Sequence, residues 1–251
     1  MVDSVMCGEC SSVLRGMDAD SVDLTVTSPP YDNLRGYNGY SFDFDAVATQ
    51  LYRVTKPGGV VVWVVGDSTV NGSESGASFR QALSFKDIGF NLHDTMIFSK
   101  YASTWNETSR RYRQNFEYMF VFSRGRVKSF NPIRDVIVKN MSPRKIKNNR
   151  NSLSPTYSMY TPKSQYTVRN NIMHYAVGGA RVDHPAPFPE RLASDHVVTW
   201  SNEGDTVLDP FAGSGTTLIA ARKANRRYIG IEISSEYVQT IHQRMLTEFG
   251  K

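Results

Sequence analysis

Thr206-Val207-Leu208-Asp209-Pro210-Phe211-Ala212-Gly213-Ser214-Gly215-Thr216-Thr217, followed by Tyr228-Ile229-Gly230-Ile231-Glu232-Ile233, sets the architecture of this chain. A short apolar run ends in an acid and a glycine-rich turn. Residues 217–224 then keep helical spacing, and a second apolar run ends in another acid. Glycines at such a turn let the backbone bend sharply and approach a ligand with no Cβ in the way. An acid about 20 residues beyond the first strand sits where both hydroxyls of a ribose can be taken. Strand, turn, helix, strand and acid in this register predict a nucleoside-bearing cofactor on an α/β sheet. The familiar phosphate motifs are incomplete, because no lysine follows Gly215 and the third glycine of the dinucleotide fingerprint is absent.

Outward from this unit, apolar runs alternate with helical patterns, which argues for a largely parallel sheet flanked by helices. Strands are predicted at residues 4–6, 22–26, 60–65, 91–99 and 117–123. Helices are predicted at 11–15, 44–54, 79–87, near 189–200 and from 235. Lys56-Pro57-Gly58-Gly59 reads as a stop between a helix and the next strand. Residues 124–180 have another texture: basic, rich in Asn and Ser, sprinkled with aromatics, and broken by Pro143, Pro155 and Pro162. They read as an inserted recognition region outside the core. The expected organisation is 1–123 and 181–251 as two halves of one domain, with 124–180 inserted.

Composition narrows the class. With 251 residues and 40% hydrophobic content, one α/β domain with a modest insertion has enough apolar material for a core. No apolar stretch reaches the length of a membrane span, and no basic-then-apolar leader opens the chain, so a soluble, unexported protein is expected. The formal charge is +5. Its placement matters more than its sum: Arg124, Arg126, Lys128, Arg134, Lys139, Arg144, Lys145, Lys147 and Arg150 face only Asp135 between positions 124 and 150. Such an excess is the electrostatic footprint a phosphate backbone attracts, although a solvated loop would look the same. Cys7 and Cys10 have neither a second pair nor a nearby histidine, so no metal site is expected. Without a disulfide framework, a reducing cytoplasm is the simplest compartment.

Thr27-Ser28-Pro29-Pro30-Tyr31 closes the apolar run at 22–26. Two prolines fix their own φ angles and bring no N–H, and the first pushes Ser28 toward an extended conformation. The product is a stiff arm bearing a hydroxyl, carbonyl oxygens and an aromatic face. Those parts suit a planar substrate with an exocyclic amine, and alone they would also suit a stiffened strand exit. Taken together, this arm and the Asp209–Glu232 unit resemble the motifs of S-adenosylmethionine-dependent DNA amino-methyltransferases, [S/D/N]-P-P-[Y/F/W] and D-P-F-x-G-S-G-T-T. The order of arm, basic region and cofactor turn is similar to that of the β class, and the resemblance covers nearly the whole chain. His184-Pro185-Ala186-Pro187-Phe188-Pro189-Glu190 is similar to a further family segment.

The resemblance implies a circularly permuted, Rossmann-like, seven-stranded methyltransferase sheet with an inserted DNA-recognition region. It implies S-adenosyl-L-methionine as cofactor, held by Glu9, Thr27, Phe188, Asp209, Phe211, Gly213, Gly215, Thr216 and Glu232. Ser28, Pro29, Pro30 and Tyr31 would be catalytic, with the target base flipped out of double-stranded DNA. Cys7 and Cys10 would be small packing residues beside the cofactor, and Asn115-Phe116-Glu117-Tyr118 would precede the final strand. Residues 32–40, glycine-hinged and aromatic, could cover the base, with Arg35 or Tyr37 touching DNA. Serine in the first motif position favours N4 of cytosine, with N6 of adenine as the alternative. A methyltransferase acting on RNA or a glutamine amide, and a catalytically silent nucleic-acid-binding module, are two further readings. No membrane partner is expected, and the sequence admits a homodimer.

Overall fold

A computed structural model describes residues 2–30, 43–100, 110–148, 153–176 and 189–250. In chain order the elements are β1 (Ser4–Cys7), α1 (Cys10–Arg15), β2 (Val22–Thr27), α2 (Phe44–Val54), β3 (Thr55–Val65), β4 (Thr69–Val70), β5 (Ser73–Glu74) and α3 (Ala77–Ile88). Then come β6 (Asn91–Lys100), β7 (Phe116–Ser123), β8 (Arg134–Ile137), β9 (Arg144–Asn148), β10 (Thr156–Tyr160), β11 (Tyr166–Val168) and β12 (Ile172–Tyr175). The chain finishes with α4 (Glu190–Trp200), β13 (Thr206–Asp209), α5 (Thr216–Lys223), β14 (Arg227–Glu232) and α6 (Ser235–Phe249).

The chain divides into two compact units, Met1–Asn131 with Asn171–Lys251, and Pro132–Asn170. In the first, one sheet runs in the order β1-β14-β13-β2-β3-β7-β6-β12. The five strands from β1 to β3 are mutually parallel, whereas β7 is antiparallel to both β3 and β6. The α/β class is as expected, but the sheet is mixed and has eight strands where the resemblance implied seven. The added strand is β12, parallel to β6, whose Tyr175 is buried in the core. It comes from the stretch read as lying outside the core. Four residues are too few for periodicity to register, and their partner lies far back in the chain.

β3 shows why the sheet sits at the centre. Val61, Trp63 and Val65 pack on one face with Leu14, Leu51 and Phe85 of α1, α2 and α3. Val60, Val62 and Val64 pack on the other with Leu192, Val197 and Ala220 of α4 and α5. A strand buried on both faces is continuously apolar rather than alternating. The expected stop at Lys56–Gly59 is not a break, because β3 already begins at Thr55. Gly58 has φ +83°, and a Cβ there would meet Lys128 Cβ at 2.9 Å and Arg126 O at 3.1 Å. The chain just after β7 therefore lies against Gly58, with Gly58 N donating to Arg124 O at 2.6 Å.

Two asparagines of the first unit, just outside the insertion in sequence, are bonded within that unit. Asn131 Nδ2 donates to Ser201 O at 3.0 Å, and Asn171 Nδ2 donates to Thr95 O at 3.2 Å. Arg124 belongs to this unit as well. It hydrogen-bonds Thr55 O at 2.6 Å, pairs with Asp20 and lies over the Tyr52 ring. The compact insertion, 132–170, is thus narrower than the 124–180 read from composition. Its strands form two separate ribbons, β8 with β11 and β9 with β10, both antiparallel. Among the described residues no helix is long and apolar enough to cross a membrane.

Candidate active site

Parallel pairing from β1 to β3 puts five strand C-termini on one edge of the sheet. That edge gathers Glu9 after β1, Glu232 ending β14, Asp209 ending β13, Ser28-Pro29-Pro30 after β2 and Asp67 after β3. β2 and β13 are neighbours, paired through Leu24–Val207 and Thr25–Leu208. Thr27 Oγ1 consequently donates to Asp209 Oδ1 at 2.7 Å. Pro29 is buried, and Ser28 and Pro30 are half-buried.

Asp209 is only 5% exposed. Burial pushes its carboxyl up to about 6, with the nearby Glu232 charge adding to the rise; hydrogen bonds from Thr27, Thr217 and Phe211 N pull the other way. The turn beyond it folds tightly: Gly213 and Gly215 have φ +50° and +81°, and Gly215 N donates to Ala212 O at 2.7 Å. Side chains other than glycine rarely adopt those angles. Glu232 accepts from Gly213 N at 2.8 Å and Ser234 N at 2.9 Å, one bond per oxygen. Each carboxylate oxygen keeps a second lone pair, enough for a diol. Gly8 N donates to Glu232 O at 2.9 Å, tying the ends of β1 and β14 together.

Glu9 has an additional task. Its carboxylate accepts from Ser11 N and Ser12 N, both at 2.8 Å, and so caps α1. Burial alone would raise its pKa, but the bonds from Ser11 and Ser12 outweigh it and hold the group near 2. Cys10 packs in the core, and burial beside Glu9 pushes its thiol up to about 12. Cys7, read as a packing residue too, is exposed, because it is the last residue of an edge strand. Glu117 pairs with Lys100 at the same edge. Tyr31, residues 32–40 and Phe188 lie outside the described residues.

Sequence reading missed three supports of this edge. Arg244 of α6 donates to Ser214 O at 2.5 Å and to Ser214 Oγ at 3.2 Å, while Ile241 of the same helix lies under Gly215, where a Cβ would meet it at 2.9 Å. The available signal was a cation at position i+3 from a buried Ile241, on the apolar side of an amphipathic helix. Trp63 packs edge-on against Phe211 at 6.2 Å, its Nε1 donating to Gln81 Oε1 at 2.9 Å. Asp67 accepts from Ser75 Oγ and Ser78 N, both at 3.0 Å, and so supplies the side-chain cap that Gly76 cannot give to α3. No local pattern pointed to the last two.

An anionic cradle around a glycine turn, with Asp209 and Glu232 contributing both acids, fits ribose hydroxyls and a positive charge and disfavours phosphate. Beside it stands a proline-stiffened arm with amine-accepting groups. This combination fits the methyltransferase class that the sequence motifs resemble. The profile of the N6/N4 DNA methylase family matches residues 22–243, and the chain belongs to that family.

The orphan methyltransferase M.BamHII of Bacillus amyloliquefaciens is 50% identical over 236 residues, 90% of this chain and 89% of its own. The type II methyltransferase M.HpaI of Haemophilus parainfluenzae is 27% identical over 269 residues, 98% of this chain and 74% of its own. Among solved structures, the putative DNA modification methylase TTHA0409 of Thermus thermophilus, complexed with S-adenosyl-L-methionine, superposes with a TM-score of 0.66 at 27% identity, covering 98% of this chain and 95% of that one. The cytosine-N4-specific PvuII DNA methyltransferase reaches 0.73 at 19% identity, covering 98% and 87%, a likeness of fold alone.

Proposed function

We propose that this DNA methyltransferase transfers a methyl group from S-adenosyl-L-methionine to N4 of a cytosine flipped out of a specific double-stranded site. The observation that carries the reading is the contact of Thr27 with Asp209 at 2.7 Å, which joins the amine-holding arm to the cofactor turn across neighbouring strands. The cofactor supplies an electrophilic methyl group on a positively charged sulfur. Asp209 offers that charge a buried counter-ion, and Glu232 receives the ribose hydroxyls. Gly213, Gly215 and Thr216 shape the turn, Phe211 is braced by Trp63, and Glu9 holds the start of α1 beside the end of β1. Phe188 is assigned to the methionine side.

An exocyclic aromatic amine is a poor nucleophile because its lone pair is delocalised into the ring. Ser28 and a carbonyl of the Pro29-Pro30 arm would accept hydrogen bonds from its N–H groups and shift the nitrogen toward a tetrahedral shape, so that its lone pair takes the methyl group as the sulfur–methyl bond breaks and one N–H proton is released to solvent. Prolines hold these acceptors in place before the base arrives, so little reorganisation is needed. Tyr31 stacks on the extruded base, whose unstacking costs a few kcal/mol. Ser28 as the first motif residue supports cytosine over adenine. Incubation of the protein with cofactor and mixed-sequence DNA, then mass spectrometry of the nucleosides, should yield N4-methylcytosine. N6-methyladenine alone would overturn the base assignment, and methylation of RNA alone would overturn the substrate.

Arg244 is proposed as a brace for the cofactor turn. Arg244→Ala should weaken cofactor binding about five- to tenfold, a loss of roughly 1 kcal/mol, with a smaller effect on kcat. Titration calorimetry with parallel steady-state kinetics checks the split.

A further inference from the structure

Pro132–Asn170 carries eight basic residues against a single acid, Asp135. The two ribbons do not share that charge alike. Just after β11, Arg169 Nε contacts both oxygens of Asp135 in β8 at 3.2 Å, so part of its charge is neutralised there. In β9–β10, Arg144, Lys145 and Lys147 stand on one strand opposite Tyr160, Met159 and Tyr157, with no acid on either strand. Every residue of β10 is exposed, Tyr157 at 54% and Met159 at 68%. Two strands without a packed face are marginal by themselves, so a ribbon of this kind gains order from a partner.

Alternation sorts its side chains onto two faces. On one, Arg144 lies over the Tyr160 ring at 5.2 Å, and Ser158 Oγ donates to Asn148 Oδ1 at 3.1 Å. On the other, Lys145 lies over the Tyr157 ring at 4.7 Å, next to Lys147. The first face offers a guanidinium fork and an amide, the groups that discriminate base edges, on either side of Ile146, with hydroxyls opposite. The second offers flexible point charges, which suit phosphates and carry no sequence information. Strands of five residues span about 16 Å, close to five base steps at about 3.4 Å each. A two-stranded ribbon fits the major groove.

We propose that β9–β10 enters the major groove of the substrate DNA, with Arg144 and Asn148 determining the methylated sequence and Lys145 and Lys147 holding the phosphates. This rests on the DNA methyltransferase reading above and deepens it. The test begins by mapping the motif that wild-type protein methylates, using sequencing that detects modified bases on a random library. Arg144→Ala and Asn148→Ala should each relax the motif at one or two positions lying within five base pairs, lowering discrimination there tenfold or more. Arg144→Lys, which keeps the charge but loses the fork, should relax the same position. Lys145→Ala and Lys147→Ala should leave the motif intact, weaken all duplexes alike, and each lower the salt slope of binding by about one. Melting curves establish that the variants are folded. An unchanged motif in the Arg144 and Asn148 variants, while wild type methylates site-specifically, would overturn the ribbon assignment alone. Wild-type protein that neither binds nor methylates DNA would overturn both readings.

Discussion

Asp209→Ala is expected to raise the dissociation constant for S-adenosyl-L-methionine by about two to three orders of magnitude. Truncating one member of a buried charge pair costs about 2–5 kcal/mol, and each 1.4 kcal/mol is about a factor of ten. As the proposed counter-ion, Asp209 would be such a member, since it is 5% exposed and bonded to Thr27 Oγ1 and to Phe211 N. Asp209→Asn keeps the shape and removes the charge, so it isolates the counter-ion role. A pH signature follows from the buried carboxyl, raised to about 6 in the protein without cofactor. A bound cation favours the ionised form, so binding releases a proton below that pH. Affinity should hold level above pH 6 and fall below it, approaching about tenfold per pH unit. Stability of the cofactor-free fold has the opposite sign: the contribution of Asp209 is full below 3.8 and is lost as pH rises through about 6. Calorimetry from pH 5 to 8, in buffers of different ionisation enthalpy, would reveal the proton. A pH-independent affinity, or a wild-type profile in Asp209→Asn, would remove Asp209 as the counter-ion.

Tyr31→Ala should do the reverse, sparing cofactor binding while cutting methyl transfer. Stacking of a base on an aromatic side chain is worth about 1–3 kcal/mol, and lost placement of the amine adds to it. The expected fall in kcat/KM is at least about a hundredfold. Tyr31→Phe keeps the ring and should retain most of the turnover. Rates of methyl transfer to duplex DNA, alongside calorimetry with cofactor alone, separate the two effects. Equal loss of cofactor binding in Tyr31→Ala and Asp209→Ala would defeat the division of labour between arm and turn.

The arm and the turn were legible because their chemistry is local. Two prolines stiffen Ser28 whatever surrounds them, and Gly213 and Gly215 take up the positive φ angles that a tight turn demands. Helix α2 was legible for a related reason, an apolar stripe at helical spacing. Glu9 follows β1 at the edge that gathers the other acids, but its cap on α1 was not read, although Ser11 and Ser12 follow it directly. Arg124 counted as part of a basic patch, yet its neighbours are Asp20, Tyr52 and Thr55, all remote in sequence. Charge along a chain does not say which cations face solvent.

The order of amino acids was enough to determine the helices and the longer strands of the main sheet, though not the short strands β4, β5 and β8 to β12, because propensity, periodicity and turn chemistry register only over several residues. It also carried the motifs that define the family. Strand order belongs to the tertiary structure. Thr27 and Asp209 are 182 positions apart and touch only because β2 pairs with β13. Membership of β12 in the main sheet and the reach of Arg244 to Ser214 arise in the same way. Each depends on a pairing or packing choice between segments that are not adjacent in the chain, and such choices are made by burying apolar surface over the whole domain.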